Sequence, residues 1–313
     1  MAADAHDDEA ELPPWRVRAP RAVPGALATT PAVRQLLEAR GIDPTTLVGT
    51  GNNGRITRDD VLSAAALVMS PRPRGRPSAE TVPFDAMRRR VAQHMLAAKA
   101  TAAHAHVASE VDYGSVEAVR RAVGPEWRAR EGFGLTYLPF VARAVVDAIR
   151  EFPNVNATVG DNALVQSVAV HLGVAVDLDF GGLIVPVIRD ATSRRLRDLA
   201  RTIVDVARRA RARTLRPDEV TGGTFTITNP GPWGTRLSVP IVNVPQVATL
   251  ATDAVTKRVV ATESRDGAPA LAVRPRGMLC LGFDHRAIDG AYAAAFSNRV
   301  RQILETRDWL TEL

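Results

Sequence analysis

A chain of 313 residues with 46% hydrophobic content can bury one large core and a smaller module, at roughly 100 to 200 residues per domain. Its net charge of +6 rests on 40 basic residues, of which only Lys99 and Lys257 are lysines; the arginines run along the whole sequence and form no basic arm, which argues against a nucleic-acid partner. A single cysteine, Cys280, excludes a disulfide framework and a thiolate metal site, and no segment resembles a membrane span or an export signal, so a soluble cytoplasmic protein without a metal is expected.

Residues 1–24 begin acidic and end in "PPWRVRAPRAVPG", which reads as a flexible segment. Residues 25–66 read as a small unit of two helices. Thr30 is placed to cap the first, Pro31 stands at its first position, Val33, Leu36 and Leu37 share a face, and Gly41 stops it. After the loop "GTGNNGR", Thr57 and Asp60 have the spacing of a capping box for the second. A unit of this size offers a binding surface but scarcely an active site. Residues 67–82, rich in proline, arginine and serine, read as a linker.

From 83 to 313 the pattern is that of one α+β domain. Met87, Val91, Met95 and Leu96 recur at helical spacing, and "LTYLPFVARAVVDAIREFP" carries a second apolar stripe. The runs "SVAVHLGVAVDL", "GLIVPVIRD", "GTFTITNPG" and "MLCLGFDHR" are of strand type. "SRRLRDLARTIVDVARRARA" and "AYAAAFSNRVRQILE" read as helices, the latter with Phe296, Val300 and Ile303 on one face. The long run "LSVPIVNVPQVATLA" is more apolar than a lone domain needs and suggests a surface shared with a neighbour. Long helices over a mixed sheet is the simplest packing.

Two polar stretches interrupt this pattern. "GFDHRAIDGA" sets His285 four places before Asp289, which suits either a catalytic pair or a strand end followed by a helix cap, since Asp289 directly precedes Gly290 and a helix. Thr228, in "TFTITN", could be a donor or an ordinary strand threonine.

"ATTPAVRQLLEARGID" and "LVGTGNNGRITRDDVL" resemble the peripheral-subunit-binding domain of dihydrolipoyl acyltransferases from 2-oxo acid dehydrogenase complexes. "LPFVARAVVDAIREFPNVNAT", "GVAVDLDFGGLIVPVIRDA", "GGTFTITNPGPWG", "IVNVPQVATL" and "DHRAIDGA" follow in the order of the family's catalytic core. The resemblance implies a chloramphenicol-acetyltransferase-like fold and transfer of an acyl group between dihydrolipoamide and coenzyme A. His285 would then be the general base for a thiol that is largely protonated near pH 7. Thr228 would donate to the oxyanion, where many members carry serine, and Asp289 would hold the active-site loop, often through an arginine. His106 would line the cleft. Arg34 and Arg55 match the family's basic docking positions for the 2-oxo acid decarboxylase or dihydrolipoamide dehydrogenase, although Glu38 replaces an arginine common there. No lysine precedes Lys99, so the lipoyl group is expected from another domain or chain. The resemblance also implies a homotrimer or larger core, with each active site between subunits. The alternatives are a non-catalytic scaffold that co-assembles with a lipoyl-bearing paralogue, and a stand-alone acyltransferase. The acyl group, whether acetyl, succinyl or branched-chain, is not legible.

Overall fold

In a computed structural model of the chain, the expected caps of the small unit are formed. Thr30 Oγ1 accepts the Val33 N–H at 3.4 Å, opening α1 (Pro31–Arg40), and Gly41 closes the helix in the left-handed conformation at φ 62°. Thr57 and Asp60 bond each other's backbone N–H at 3.3 and 2.8 Å and start α2 (Arg58–Met69). Asp60 also reaches back to the Thr50 N–H and hydroxyl, tying the loop to the helix it precedes. The turn between them is tight enough that a β-carbon on Gly49 would collide with the Gly54 carbonyl. Val33, Leu37, Ile56 and Val61 form the core.

The structure describes residues 29–69, 81–264 and 266–313. Expected segment 1–24, and most of expected linker 67–82, lie outside these. The chain divides into two units, Met1–Val82 and Pro83–Leu313.

In the second unit, α3 (Ala86–Thr101) leads into β1 (His104–Asp112), α4 (Gly114–Glu131) and α5 (Leu138–Glu151). A hairpin, β2 (Ala157–Gly160) and β3 (Ala163–Gln166), precedes β4 (Leu172–Val174), β5 (Val176–Asp177), β6 (Leu183–Ile184) and β7 (Val187–Ile188). Then come α6 (Leu196–Arg211), β8 (Phe225–Thr228), β9 (Ala248–Thr252), β10 (Thr256–Glu263), β11 (Pro269–Asp284) and α7 (Gly290–Thr306). The main sheet runs β1-β11-β9-β8-β4-β7, with β10 pairing the outer half of β11. Its β8 pairs with β9 and β4 are parallel and the others antiparallel, so the sheet is mixed and the domain is α+β.

Strand alternation sorts the two faces of this sheet. Phe225, Ile227, Leu250, Leu279, Leu281 and Phe283 join a core with α4, α5, α6 and α7. Thr226, Thr249 and Gly282, the intervening residues, point to the other face, where the 236–246 loop crosses. His104 and His106 on β1 fasten that loop: Val242 N–H donates to His104 Nε2 at 3.0 Å, and His106 Nε2 bonds the Pro240 carbonyl at 2.9 Å. Both histidines are therefore taken up by the fold.

Two sequence expectations change. The second part of the apolar run at 237–251 is internal: β9 is a central strand, and Val242, Val247, Ala248, Leu250 and Ala251 are fully buried within the chain, whereas Leu237 and Val239 at its start stay 51% and 59% exposed. A strand buried on both faces carries no polar alternation and so looks like excess surface in the sequence. Conversely, the stripe on α3 is not buried; Ala98 is the helix's only buried residue, and Leu96 is 72% exposed. No helix among the described residues is long and apolar enough to cross a membrane.

Candidate functional site

His285 follows the last residue of β11, and its placement is set by its neighbours. The Asp284 carboxylate, 3% exposed, accepts both Nε and Nη2 of Arg286, the Arg286 N–H at 3.0 Å and the Ala103 N–H at 3.2 Å. Burial pushes this carboxyl up, but the bonds and charge of Arg286 outweigh it and hold the group below the usual carboxylate range. His285 N–H in turn donates to the Ala103 carbonyl at 2.8 Å. The three-residue stretch 284–286 is thus clamped to the start of β1, while the imidazole itself, half exposed, leans on the Phe283 ring at 5.6 Å between centroids.

Asp289 does not play the part expected of it. It occupies the N-cap position of α7 but makes no side-chain capping bond, and its carboxylate lies 3.9 Å from His285 Nδ1 and is 89% exposed. That separation is beyond a hydrogen bond. The arginine of the loop, Arg286, is claimed by Asp284 instead, two residues away rather than three. The loop-holding carboxylate within this chain is therefore Asp284, a residue the sequence reading passed over although its spacing to Arg286 was visible.

Thr228 ends β8 on the face away from the helices, half-buried. Two residues earlier on the same face, Thr226 donates to Gln246 Oε1 at 2.7 Å and accepts from Asn243 Nδ2 at 3.2 Å. The register separates Thr228 from His285. Thr228 is level with Ala251, and Ala251 with Cys280, five positions before His285 and two strands away. At about 3.3 Å per residue and about 4.8 Å per strand, the two lie about 19 Å apart in one chain. One thiol or one oxyanion cannot touch both.

Arg34 and Arg55 are exposed on the small unit, where Arg34 borders a 540 Å³ depression with Leu37, Glu38 and Ile42.

Comparison with known proteins follows the same division. The family model for the catalytic domain of 2-oxoacid dehydrogenase acyltransferases matches residues 76–311, and an E3-binding domain matches residues 28–62. The chain is 32% identical over 311 residues to the lipoamide acyltransferase component of the Bacillus subtilis branched-chain alpha-keto acid dehydrogenase complex, covering 91% of this chain and 72% of that protein. It is 37% identical over 305 residues to the dihydrolipoyllysine-residue acetyltransferase component of the Corynebacterium glutamicum pyruvate dehydrogenase complex, covering 91% of this chain but 44% of that one. Among solved structures, the cubic core of a pyruvate dehydrogenase multienzyme complex superposes with a TM-score of 0.67 at 31% identity, over 74% of this chain and 94% of that one. The Azotobacter vinelandii dihydrolipoamide acetyltransferase, studied for the role of a serine, a histidine and an asparagine in its catalytic mechanism, superposes with a TM-score of 0.66 at 32% identity, over 72% of this chain and 91% of that one. The histidine and asparagine named for that protein stand four positions apart.

Proposed function

The chain belongs to the acyltransferase family of the 2-oxo acid dehydrogenase complexes, and we propose that it moves an acyl group between dihydrolipoamide and coenzyme A. The observation that carries this reading is the His285 imidazole: its backbone is clamped through Ala103 and Asp284, yet neither ring nitrogen makes a hydrogen bond among the described residues. Such a ring is held in place and left free to take a proton.

His285 removes the proton of the attacking thiol, and the sulfur adds to the thioester carbonyl. The tetrahedral oxyanion accepts a hydrogen bond from the Thr228 hydroxyl; one preorganised donor contributes roughly 3–4 kcal/mol. Collapse breaks the original carbon–sulfur bond, and the departing thiolate recovers the proton from His285. Asp289 stands four positions from His285, the spacing of the histidine and asparagine in the Azotobacter protein, and Thr228 offers a hydroxyl, the group that the serine studied in that protein carries.

Because His285 and Thr228 are about 19 Å apart within one subunit, the reaction needs the His285 end of one chain beside the Thr228 end of another. The uncovered α3 stripe and the likeness to a cubic core support a homotrimer or larger assembly. Arg34 and Arg55 would dock the dihydrolipoamide dehydrogenase or the decarboxylase in the cytoplasm, with the lipoyl group presented by another domain or chain. Relatives from branched-chain and pyruvate complexes match the chain comparably, so no single acyl group is assigned. Thiol release from acetyl-, succinyl- and branched acyl-coenzyme A in the presence of dihydrolipoamide tests the reading. Release with at least one donor is expected; none with any donor would leave a scaffold.

A further inference from the structure

The end of β1, the middle of β11 and the last turns of α7 enclose a cavity of 650 Å³ beside the start of α4. Arg274 and Arg276 line it from β11, Arg301 and Glu305 from α7, and Asp112 from β1. It lies away from both proposed catalytic residues. Arg276 stands nine positions before His285, about 30 Å along the chain of β11. It is four positions from Cys280, which is level with Thr228 two strands away, a separation of about 16 Å.

Backbone bonds fix the frame of this cavity. The Tyr113 N–H donates to the Pro275 carbonyl at 2.9 Å, the Asp112 N–H to Glu305 Oε1 at 3.0 Å, and Ser115 Oγ to the Glu305 carbonyl at 2.6 Å, so the start of α4 is joined to β11 and α7. The acids are engaged within this frame: Glu305 Oε1 by the Asp112 amide, and Asp112 Oδ1 by the Gly114 N–H at 2.8 Å. The guanidinium groups are less committed. Arg276 makes no hydrogen bond among the described residues; its Nη2 lies 3.4 Å from Asp112 Oδ2, and its Nε is buried without an acceptor. Arg301 Nη1 is 3.9 Å from Glu305 Oε2, too far for a bond. Arg274 has neither an ion pair nor a hydrogen bond among the described residues, and its Nη1 would stand 3.8 Å from a β-carbon on Gly114, the first residue of the 18-residue α4. A cation there meets the positive end of a helix dipole.

Three guanidinium groups against two carboxylates leave one hollow with an excess of positive charge and unspent donors, the arrangement that takes a phosphoryl group. No apolar side chain lines the cavity, so a hydrocarbon arm, an acyl chain or a nucleobase finds no surface there. Its volume falls within the range of small-molecule sites, about 300–1,000 Å³. We propose that this cavity binds a compact, multiply charged phosphate compound, its phosphoryl oxygens accepting from Arg274, Arg276 and Arg301. A small phosphate ester and an inorganic polyphosphate share this chemistry.

Calorimetric titration of the assembled protein with glycerol 3-phosphate and, separately, with inorganic pyrophosphate, at fixed ionic strength and without an acyl donor, tests this. Saturable binding of at least one probe at one site per chain is expected, weakened about tenfold by Arg274→Gln and by Arg301→Gln, the scale of one lost charge-assisted bond. Arg274 is exposed and bonds nothing among the described residues. Arg274→Gln therefore carries the test alone if Arg301→Gln, which gives up its bonds to Asn298, fails to assemble. Binding of glycerol 3-phosphate only assigns the site to phosphate esters, and of pyrophosphate only to inorganic polyphosphate. Saturation by neither probe, binding untouched by both substitutions, or binding abolished by prior saturation with coenzyme A overturns the proposal. Thiol release is no part of the readout, so this inference and the acyl-transfer reading stand or fall separately.

Discussion

The His285 ring depends on neighbours that hold the backbone and leave the nitrogens free, which separates its chemistry from its support. His285→Ala is expected to abolish transfer while the assembly keeps its size, measured by thiol release beside analytical ultracentrifugation; an active variant would remove the histidine from the mechanism. Thr228→Ser should remain active and Thr228→Ala should lose ~10²–10³-fold in turnover, the range for one oxyanion donor, whereas equal rates would reduce Thr228 to a strand residue. Asp284→Asn should destabilise the fold by about 1–3 kcal/mol, because buried bonds to Arg286 and Ala103 are weakened. Since the folded Asp284 carboxyl is held below its usual value, its contribution is present above about pH 4 and is lost as the pH falls further. Thermal melts from pH 7 to pH 3 should show a smaller acid loss for Asp284→Asn than for wild type; parallel curves would contradict this. Motif reading puts forward His285 and Thr228 as the base and the oxyanion donor because their residue types and order are local. It gave Asp289 a role that falls to Asp284, because which carboxylate meets Arg286 depends on how the chain leaves β11.

At the scale of elements, a cap binds a whole helix to its loop. Thr30→Ala should cost the small unit about 1 kcal/mol, and loss of Asp60, which holds both Thr50 and Thr57, should leave α2 without its start. The bonds from Thr50 and Thr57 keep the Asp60 carboxyl far below its normal range. Protonation therefore weakens the folded state only below about pH 4. Helical signal followed through acid titration of wild type and Asp60→Asn checks this, and an unchanged acid transition in the variant would refute it. These caps were legible because they are short-range patterns. So were α5, α6 and α7, whose stripes repeat at the helical period. α4 was not, since Gly124 and Pro125 inside it imitate a turn. β9 was mistaken for shared surface because a central strand is apolar on both faces.

For the whole molecule, one distance organises the account. The sheet register sets the proposed base and the proposed oxyanion donor five residues and two strands apart in one subunit, a separation that sequence order could not disclose, since it arises from pairing β8, β9 and β11 side by side. Two chains are then needed for one site. Mixing inactive His285→Ala and Thr228→Ala subunits, with exchange between them demonstrated by mass spectrometry, tests this most directly. In a closed ring where each site takes His285 from one chain and Thr228 from the next, about a quarter of the sites in a random equal mixture carry both intact residues. The account predicts thiol release approaching that fraction of the wild-type rate. Mixed assemblies as inactive as either parent would contradict it and place both residues' function within a single chain.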